Sequence, residues 1–184
     1  MKLILVRHGE SEANANNVLQ GIDGGKLTKK GIDQAKNLGK ELKEKYKIDM
    51  IFCSPLNRCM ETLEAILSEY PIEGQILISK LIEERDFGEY TGVETHLINW
   101  KEVDEDNKIN EELGVESLAN LKKRANLFLE DLKLEDKDST ILVVSHHGPI
   151  RMMISILTGE NFEEIKVENA SIIEFEIEET DYSK

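Results

Sequence analysis

The chain has 184 residues, of which 40% are hydrophobic and 33% are charged, and its formal net charge at pH 7 is −14. This length and composition predict a single globular domain over residues 1–184, which can bury roughly two-thirds of its unfolded surface. Because the chain is strongly negative, we expect neither nucleic acid nor an anionic membrane as a partner.

Two further features bear on location and metals. The apolar runs fall short of the roughly 18 residues of a membrane span, and the N-terminal run is interrupted at Arg7 and His8, too early for a signal peptide. The two cysteines, Cys53 and Cys59, do not have the spacing of a metal site. We therefore expect a cytoplasmic protein without a structural metal ion.

Five short apolar segments predict β-strands. The first and the fourth run without alternation, which is typical of strands buried on both faces of a sheet. The last alternates apolar and acidic residues, so one of its faces is wet, and we expect an antiparallel strand at the edge of the sheet. The predicted strands are 2–6, 49–53, 75–79, 140–144 and 173–178.

Amphipathic helices are predicted between these strands. The first repeats apolar residues at spacings of three and four from Ile32 to Tyr46, and we expect this face to be buried. The second begins at Pro55, because proline suits the first turn of a helix. The alternation of strands and helices is typical of an α/β fold with a mainly parallel central sheet flanked by helices. The predicted helices span 28–46, 55–68, 118–132 and 149–158.

A long irregular stretch precedes the helix at 118–132. Loops of this length in compact domains usually cover or bind a ligand, so residues 85–115 are predicted to form a lid on the substrate side. Trp100, His96 and Leu97 lie in this stretch and supply the apolar surface expected over an organic leaving group.

Three of the predicted strands are followed by side chains suited to phosphate chemistry. Arg7 and His8 end the first strand, Arg58 follows the second, and His146 follows the fourth. If these strands are neighbours in a parallel sheet, their carboxyl ends converge on one site. One guanidinium group can bind two phosphate oxygens at once, and an uncharged imidazole is a nucleophile near neutral pH. The pattern therefore indicates phosphoryl chemistry that requires no metal ion.

Four motifs in this order resemble the histidine phosphatase superfamily, also called phosphoglycerate-mutase-like. The part of the chain that resembles the family spans residues 1 to about 158. The motifs are RHGES at 7–11, SPLNRCMET at 54–62, ERDFGEYTG at 84–92 and VSH at 144–146.

The resemblance implies a covalent phosphohistidine mechanism without a cofactor. His8 is the implied nucleophile, and Glu84 is the implied proton donor to the leaving oxygen and acceptor from water. Glu84 is favoured over its neighbours Glu83 and Glu89 by its spacing to Gly88. The residues implied or expected to bind phosphate or substrate are Arg7, Asn14, Arg58, His146, Ser11, Gln20, Gly21 and His147.

Several of these assignments have alternatives. Ser11 and Asn14 also suit local hydrogen bonds in a turn, and Gln20-Gly21 also suits an ordinary turn. His147 departs from the family pattern, in which glycine commonly follows the second histidine. Here the glycine, Gly148, comes one residue later.

Three functions remain open, and a phosphatase acting on a small phosphomonoester is favoured. The resemblance includes broad-specificity phosphatases and α-ribazole-5′-phosphate phosphatases. The alternative is a cofactor-dependent phosphoglycerate mutase, but residues 101–116 carry seven acidic residues against two lysines, and Arg85 is one possible carboxylate contact. A silent phosphate-binding regulator is disfavoured because every catalytic group is present. The sequence does not indicate an oligomeric state.

Overall fold

The computed structural model describes residues 1–105 and 108–177. They form an α/β fold with one five-stranded, mainly parallel sheet, which confirms the predicted class. The predicted strand end at Glu178 lies outside the described residues. The strands are β1 (Lys2–Arg7), β2 (Met50–Cys53), β3 (Gln75–Ile78), β4 (Thr140–Ser145) and β5 (Ile172–Glu176).

The strand order brings the three predicted site-bearing strands together. It is β3-β2-β4-β1-β5, so β1, β4 and β2 are consecutive and parallel. In the register, Arg7 lies opposite Ser145, and Cys53 lies opposite Val144. The three carboxyl ends therefore lie level at one edge. Strand β5 pairs antiparallel with β1 at the side of the sheet, as its alternation predicted.

Helices lie on both faces of the sheet. The second long helix begins at Asn57 rather than at Pro55, because the chain is still turning away from β2 at the proline. The last begins at His147, two residues before Pro149, which is tolerated because the first turn needs no N–H from proline. The helices are α1 (Glu12–Ala15), α2 (Lys29–Lys45), α3 (Asn57–Glu69), α4 (Trp100–Asp104), α5 (Lys108–Glu112), α6 (Leu118–Leu132) and α7 (His147–Thr158).

The core has two layers, one on each face of the sheet. Alternate residues of β1 enter different layers, since Leu3 and Leu5 face α6 and α7 while Ile4 and Val6 face α2 and α3. Both faces of the central strands are therefore buried, as expected for parallel strands covered by helices.

The buried face of α2 includes Ala35, Leu38 and Leu42, as predicted, but not Ile32. Ile32 is 38% exposed, whereas Gly31 and Gly39 are buried. A Cβ atom on Gly31 would lie 2.1 Å from the carbonyl oxygen of Glu10, so the loop after β1 packs directly on the helix backbone. The apolar repeat alone does not reveal this contact, because glycine carries no apolar side chain.

The segment 85–115 is less irregular than predicted. It contains α4 and α5 and short 3-10 turns at 88–90 and 95–97. It also has a small apolar cluster of its own. The buried members of that cluster are Leu19, Phe87, Ile98, Val103 and Val115. Helices of three to five residues are too short to show a helical repeat in the sequence.

None of the helices in residues 1–105 and 108–177 combines the length and the apolar character needed to cross a bilayer.

Candidate active site

A cavity of about 830 Å³ opens at the edge where β1, β4 and β2 end. We call its most buried part the inner end, formed by the buried residues His8, Arg58 and Glu84 and by the half-buried Arg7. We call the remainder the outer wall, which is formed mainly by half-buried and exposed side chains. The outer wall includes Trp100, Lys101, Asp104, Arg151, Phe162, Glu163 and Lys166.

His8 is buried at the inner end with one ring nitrogen accounted for by the backbone. Its Nδ1 lies 2.7 Å from the carbonyl oxygen of Gly9, which can only accept, so Nδ1 carries the proton. Nε2 therefore keeps its lone pair and accepts a hydrogen bond from Arg58 Nε at 3.2 Å. Burial, and then the charges of Arg58 and Arg7, hold the pKa of His8 well below its usual 6.5. The imidazole is uncharged and nucleophilic at neutral pH.

Arg58 lies in the first turn of α3, as predicted, and is almost completely buried. Besides His8, it contacts the loop after α1. It donates to the carbonyl oxygens of Gly21 at 2.7 Å and Asp23 at 3.0 Å. The guanidinium is therefore fixed beside the nucleophilic nitrogen by the backbone, and among the described residues no carboxylate forms an ion pair with it.

Arg7 offers a second guanidinium to the inner end. Its Nη1 donates to the carbonyl oxygen of Val167 at 2.6 Å. Its Nε is buried, and the part of the chain that the structure describes provides no hydrogen-bond partner for it. A buried donor without a partner costs about 1–3 kcal/mol. An anion bound in the cavity would remove that cost.

His146 lies behind His8 rather than on the cavity wall. It is fully buried, and its ring meets the His8 ring edge to face with the centroids 5.2 Å apart. Its Nε2 lies 2.7 Å from Ser54 Oγ, and Cys59 Sγ lies 3.3 Å from the same atom. Burial, and then Arg58, lower its pKa well below 6.5. This neutral histidine supports the nucleophile from behind.

Glu84 faces the inner end from the segment after β3. Its Oε1 accepts from the backbone N–H groups of Arg85 at 2.8 Å and Gly148 at 3.0 Å. A Cβ atom at position 148 would lie 2.5 Å from that oxygen. Gly148 therefore makes room for the carboxylate of Glu84, although it lies one residue later than the glycine of the family pattern.

Arg124 on α6 holds the backbone that carries Glu84, a role that the sequence did not reveal. It donates to the carbonyl oxygens of Leu81, Glu83 and Glu84, at 2.8, 2.6 and 3.2 Å. Glu116 in turn binds Arg124 with both carboxylate oxygens, at 2.7 and 2.9 Å. A charged residue on an amphipathic helix suggests a solvated face, so no sequence signal marked this arginine.

His147 lies on the cavity wall in the first turn of α7. Burial, followed by the charges of Arg7 and Arg151, lowers its pKa to about 3. It therefore contributes a neutral, polar surface rather than a positive charge. The side chain at position 147 thus faces the cavity next to Gly148.

Of the predicted site residues in the loop after β1, some line the cavity and one does not. Ser11 is buried, caps α1 and donates to Gln20 Oε1 at 3.0 Å, so it supports the loop rather than lining the cavity. Asn14, Gln20 and Gly21 do line it. Asn14 Oδ1 accepts from Asn169 Nδ2 at 3.0 Å, which leaves its NH₂ group as the end available to a ligand. Asn169 was not identified from the sequence.

The outer wall corrects two expectations. Trp100 lines the cavity and packs edge to face on Phe87, but His96 and Leu97 are exposed and do not line it. Arg85 is not available for a substrate carboxylate. Its guanidinium pairs with Asp104, and its other donors bind the carbonyl oxygens of Val103 and Glu116.

The polar groups of the site suit an anion better than a metal ion. Within residues 1–105 and 108–177, no three His, Cys, Asp or Glu side chains lie together as a possible metal site. The polar groups that converge at the inner end are mainly hydrogen-bond donors, which suit an anion.

Comparison with known proteins supports the motif-based prediction. The family model of the histidine phosphatase superfamily (branch 1) matches residues 3–183. Phosphoserine phosphatase 1 of Hydrogenobacter thermophilus is 35% identical over 189 residues, covering 97% of this chain and 88% of that protein. The 2,3-bisphosphoglycerate-dependent phosphoglycerate mutase of Mesorhizobium japonicum is 31% identical over 173 residues, covering 89% and 84%.

The solved structures agree with these sequence matches. The crystal structure of the α-ribazole phosphatase from Shigella flexneri is 26% identical and matches with a TM-score of 0.78, covering 97% of this chain and 92% of that one. The fold is therefore shared over nearly the whole chain. Phosphatases and mutases both occur among the relatives. The chain belongs to the histidine phosphatase superfamily, branch 1, and is an enzyme of that family.

Proposed function

We propose that this enzyme is a phosphatase that hydrolyses a small phosphomonoester through a phosphohistidine on His8. The observation that carries the proposal is the state of His8. A buried, uncharged imidazole lines a cavity that also holds Arg7 and Arg58, and its unprotonated Nε2 is kept beside the guanidinium of Arg58 by a hydrogen bond from Arg58 Nε. This arrangement combines an activated nucleophile with fixed positive charge for a phosphoryl group.

In the first step the phosphoryl oxygens bind Arg7, Arg58 and the NH₂ group of Asn14. His8 Nε2 attacks phosphorus in line, a P–N bond forms, and the P–O bond to the leaving group breaks. Glu84 donates a proton to the departing oxygen, because an alkoxide leaves poorly. The Nδ1–H bond to the carbonyl of Gly9 stabilises the positive charge on the phosphorylated ring.

In the second step a water molecule attacks the phosphohistidine. The carboxylate of Glu84 takes a proton from the water as the new P–O bond forms. The P–N bond breaks, its electron pair returns to Nε2, and inorganic phosphate leaves. Glu84 is then protonated again and ready for the next cycle. The two arginines stabilise the charge on the three equatorial oxygens in both steps.

The remaining predicted residues take supporting parts in this proposal. His146 backs the His8 ring, and its direct contact with phosphate stays a prediction. Ser11 fixes the loop that presents Asn14 and Gln20. Residues 85–115 are proposed to cover the leaving group with Trp100. The absence of a cofactor and the cytoplasmic location stay predictions.

A phosphoglycerate mutase is the second candidate, because mutases are among the relatives. A mutase must return the phosphoryl group to a doubly anionic substrate rather than to water. Arg85, the carboxylate contact considered for that substrate, is bound to Asp104 and two carbonyls. The acidic residues of 101–116 also oppose a second negative charge. We therefore favour the phosphatase.

The test is phosphate release from para-nitrophenyl phosphate in the presence of EDTA. We expect turnover by the wild type and a loss of at least about 10³-fold in His8→Ala, since the nucleophile is removed. Lys123→Gln changes one exposed charge on α6 and serves as the control with unchanged turnover. Equal turnover by wild type and His8→Ala contradicts the proposal. Phosphoryl transfer between phosphoglycerates, without phosphate release, favours the mutase.

A further inference from the structure

The five arginines of the chain fall into two groups. Arg85 is paired with Asp104, and Arg124 is paired with Glu116. The others form no ion pair with any carboxylate in the described parts of the chain, and all of them line the cavity. These unpaired arginines are Arg7, Arg58 and Arg151. The phosphoryl group accounts for the first two, and Arg151 has no part in the proposed reaction.

Arg151 is held rigidly against one residue. Its Nε and Nη2 both donate to the carbonyl oxygen of Phe162, at 3.1 and 2.5 Å. Its guanidinium carbon lies 4.1 Å from the centroid of the Phe162 ring, a cation–π contact. Nη1 makes no hydrogen bond with the residues that the structure describes. One edge of the guanidinium is therefore fixed, and the opposite edge remains for a ligand in the cavity.

The position of Arg151 relates it to the phosphoryl site. It lies four residues after His147, so both side chains project from one face of α7, with their Cβ atoms about 5–6 Å apart. His147 and both arginines line the same cavity, and the charges of Arg7 and Arg151 both lower the pKa of His147. The cavity thus has positive groups at its inner end and another on its outer wall, about one helical turn along α7 from His147.

Three carboxylates, those of Asp104, Glu84 and Glu163, act on the charge of Arg151, but within the described residues none of them forms an ion pair with it. Asp104 is engaged by Arg85, and Glu163 is exposed on the outer wall. Lys101 and Lys166 are exposed on the same wall. A partly buried cation without a carboxylate in an ion pair is costly, and the cost is offset when an anion binds. The planar edge with two donors matches a carboxylate.

Resting on the phosphatase function proposed above, we propose that Arg151 binds a carboxylate of the substrate's leaving group. The preferred substrates are then phosphomonoesters of short hydroxy acids. The phosphoryl group lies at the inner end, and the carboxylate reaches the available edge of Arg151. This residue determines specificity and takes no part in bond breaking.

The test compares O-phosphoserine with O-phosphoethanolamine, which differ only in the carboxylate. We expect the wild type to prefer phosphoserine in kcat/KM. Arg151→Gln should lose about 10- to 100-fold on phosphoserine, because a charge-assisted pair is removed, and should change little on phosphoethanolamine. Arg151→Lys keeps the positive charge but loses the planar pair of N–H donors, so it should retain part of the preference for phosphoserine. Lys123→Gln, with the same change in charge, should keep it fully.

Equal losses on both substrates, or no loss on either, would overturn the role of Arg151. Binding to the His8→Ala variant gives a second readout that needs no turnover. There, calorimetry should show tighter binding of phosphoserine than of phosphoethanolamine, and the difference should disappear when Arg151→Gln is added. Absence of all phosphate release by the wild type contradicts the phosphatase, whereas release without a preference for phosphoserine overturns only the role of Arg151.

Discussion

The inner end of the cavity and its outer wall are built from different parts of the fold. Arg7, His8 and Arg58 follow the ends of β1 and β2 and are held by backbone carbonyls. Trp100 and Phe162 on the outer wall come from short helices between the main elements. The sheet therefore fixes the groups that handle phosphate, and the connecting segments shape the space for the leaving group.

The inner end and the outer wall also differ in their charges. The inner end has arginines close to His8 that form no ion pair within the described ranges of the chain, in a protein of net charge −14. The outer wall mixes both signs, with Asp104 and Glu163 near Arg151 and Lys166. Substitutions at the inner end should lower turnover for every substrate, whereas those on the outer wall should act on particular substrates.

The largest of the three effects is expected for Glu84→Gln at the inner end. The amide keeps the size of the side chain and an oxygen for the Gly148 N–H, but it cannot donate or accept the proton. We expect turnover of an alkyl phosphate to fall by about 10²–10⁴-fold. The rate of the first step with para-nitrophenyl phosphate should fall less, because nitrophenolate leaves without needing a proton from Glu84. Pre-steady-state release of nitrophenol measures this step, and equal losses for both leaving groups would contradict the role of Glu84.

An intermediate effect is expected for Gly148→Ala, between the two regions. The added Cβ atom meets Glu84 Oε1 at 2.5 Å, and the carboxylate can move away because it is the end of a flexible side chain. We expect stability to change little while kcat falls by about 10- to 100-fold, as for a misplaced catalytic group. Gly24→Ala, which meets nothing within 4 Å, is the matched control. A loss of stability that accounts for the loss of activity would argue against displacement of Glu84.

The smallest effect is expected for His147→Gln and concerns stability against pH. The pKa of His147 is about 3 in the folded state and about 6.5 when unfolded, so the unfolded chain binds the proton first. The contribution of neutral His147 to the free energy of unfolding is fully present above pH 6.5. It is lost as the pH falls from 6.5 toward 3.

Urea unfolding of wild type and variant at several pH values measures this difference. Below pH 6.5, the wild type should lose stability more steeply than His147→Gln, by at most about 1.4 kcal/mol per pH unit. His96→Gln removes an exposed imidazole and serves as the control. Parallel stability curves for wild type and His147→Gln would show that His147 is not buried in its neutral form.

The inner end is also the part that could be predicted from the sequence. Arg7, His8 and Arg58 each follow an apolar strand or open the next helix, and parallel strands bring such positions together. The prediction required that β1, β2 and β4 be neighbours in the sheet, and the structure meets that condition, although the order of the strands was not predicted. Local patterns sufficed because each residue's position depends on its own strand.

The outer wall and the supporting contacts could not be predicted in this way. The pair of Arg124 with Glu116 and that of Arg85 with Asp104 depend on how separate segments pack. The close contact of Gly31 with Glu10 left no apolar signal, so the face of α2 was predicted with Ile32 buried. These features depend on tertiary contacts, which periodicity and motif spacing do not encode.

The central claim is that His8 carries the phosphoryl group during turnover. The direct measurement is rapid quenching of the enzyme with substrate under alkaline, denaturing conditions, followed by mass spectrometry of the peptides at neutral or alkaline pH. The account predicts a phosphoryl group on His8 in the wild type and none in His8→Ala, which should also lack turnover. A phosphoryl group on another residue, or turnover by His8→Ala, would contradict it.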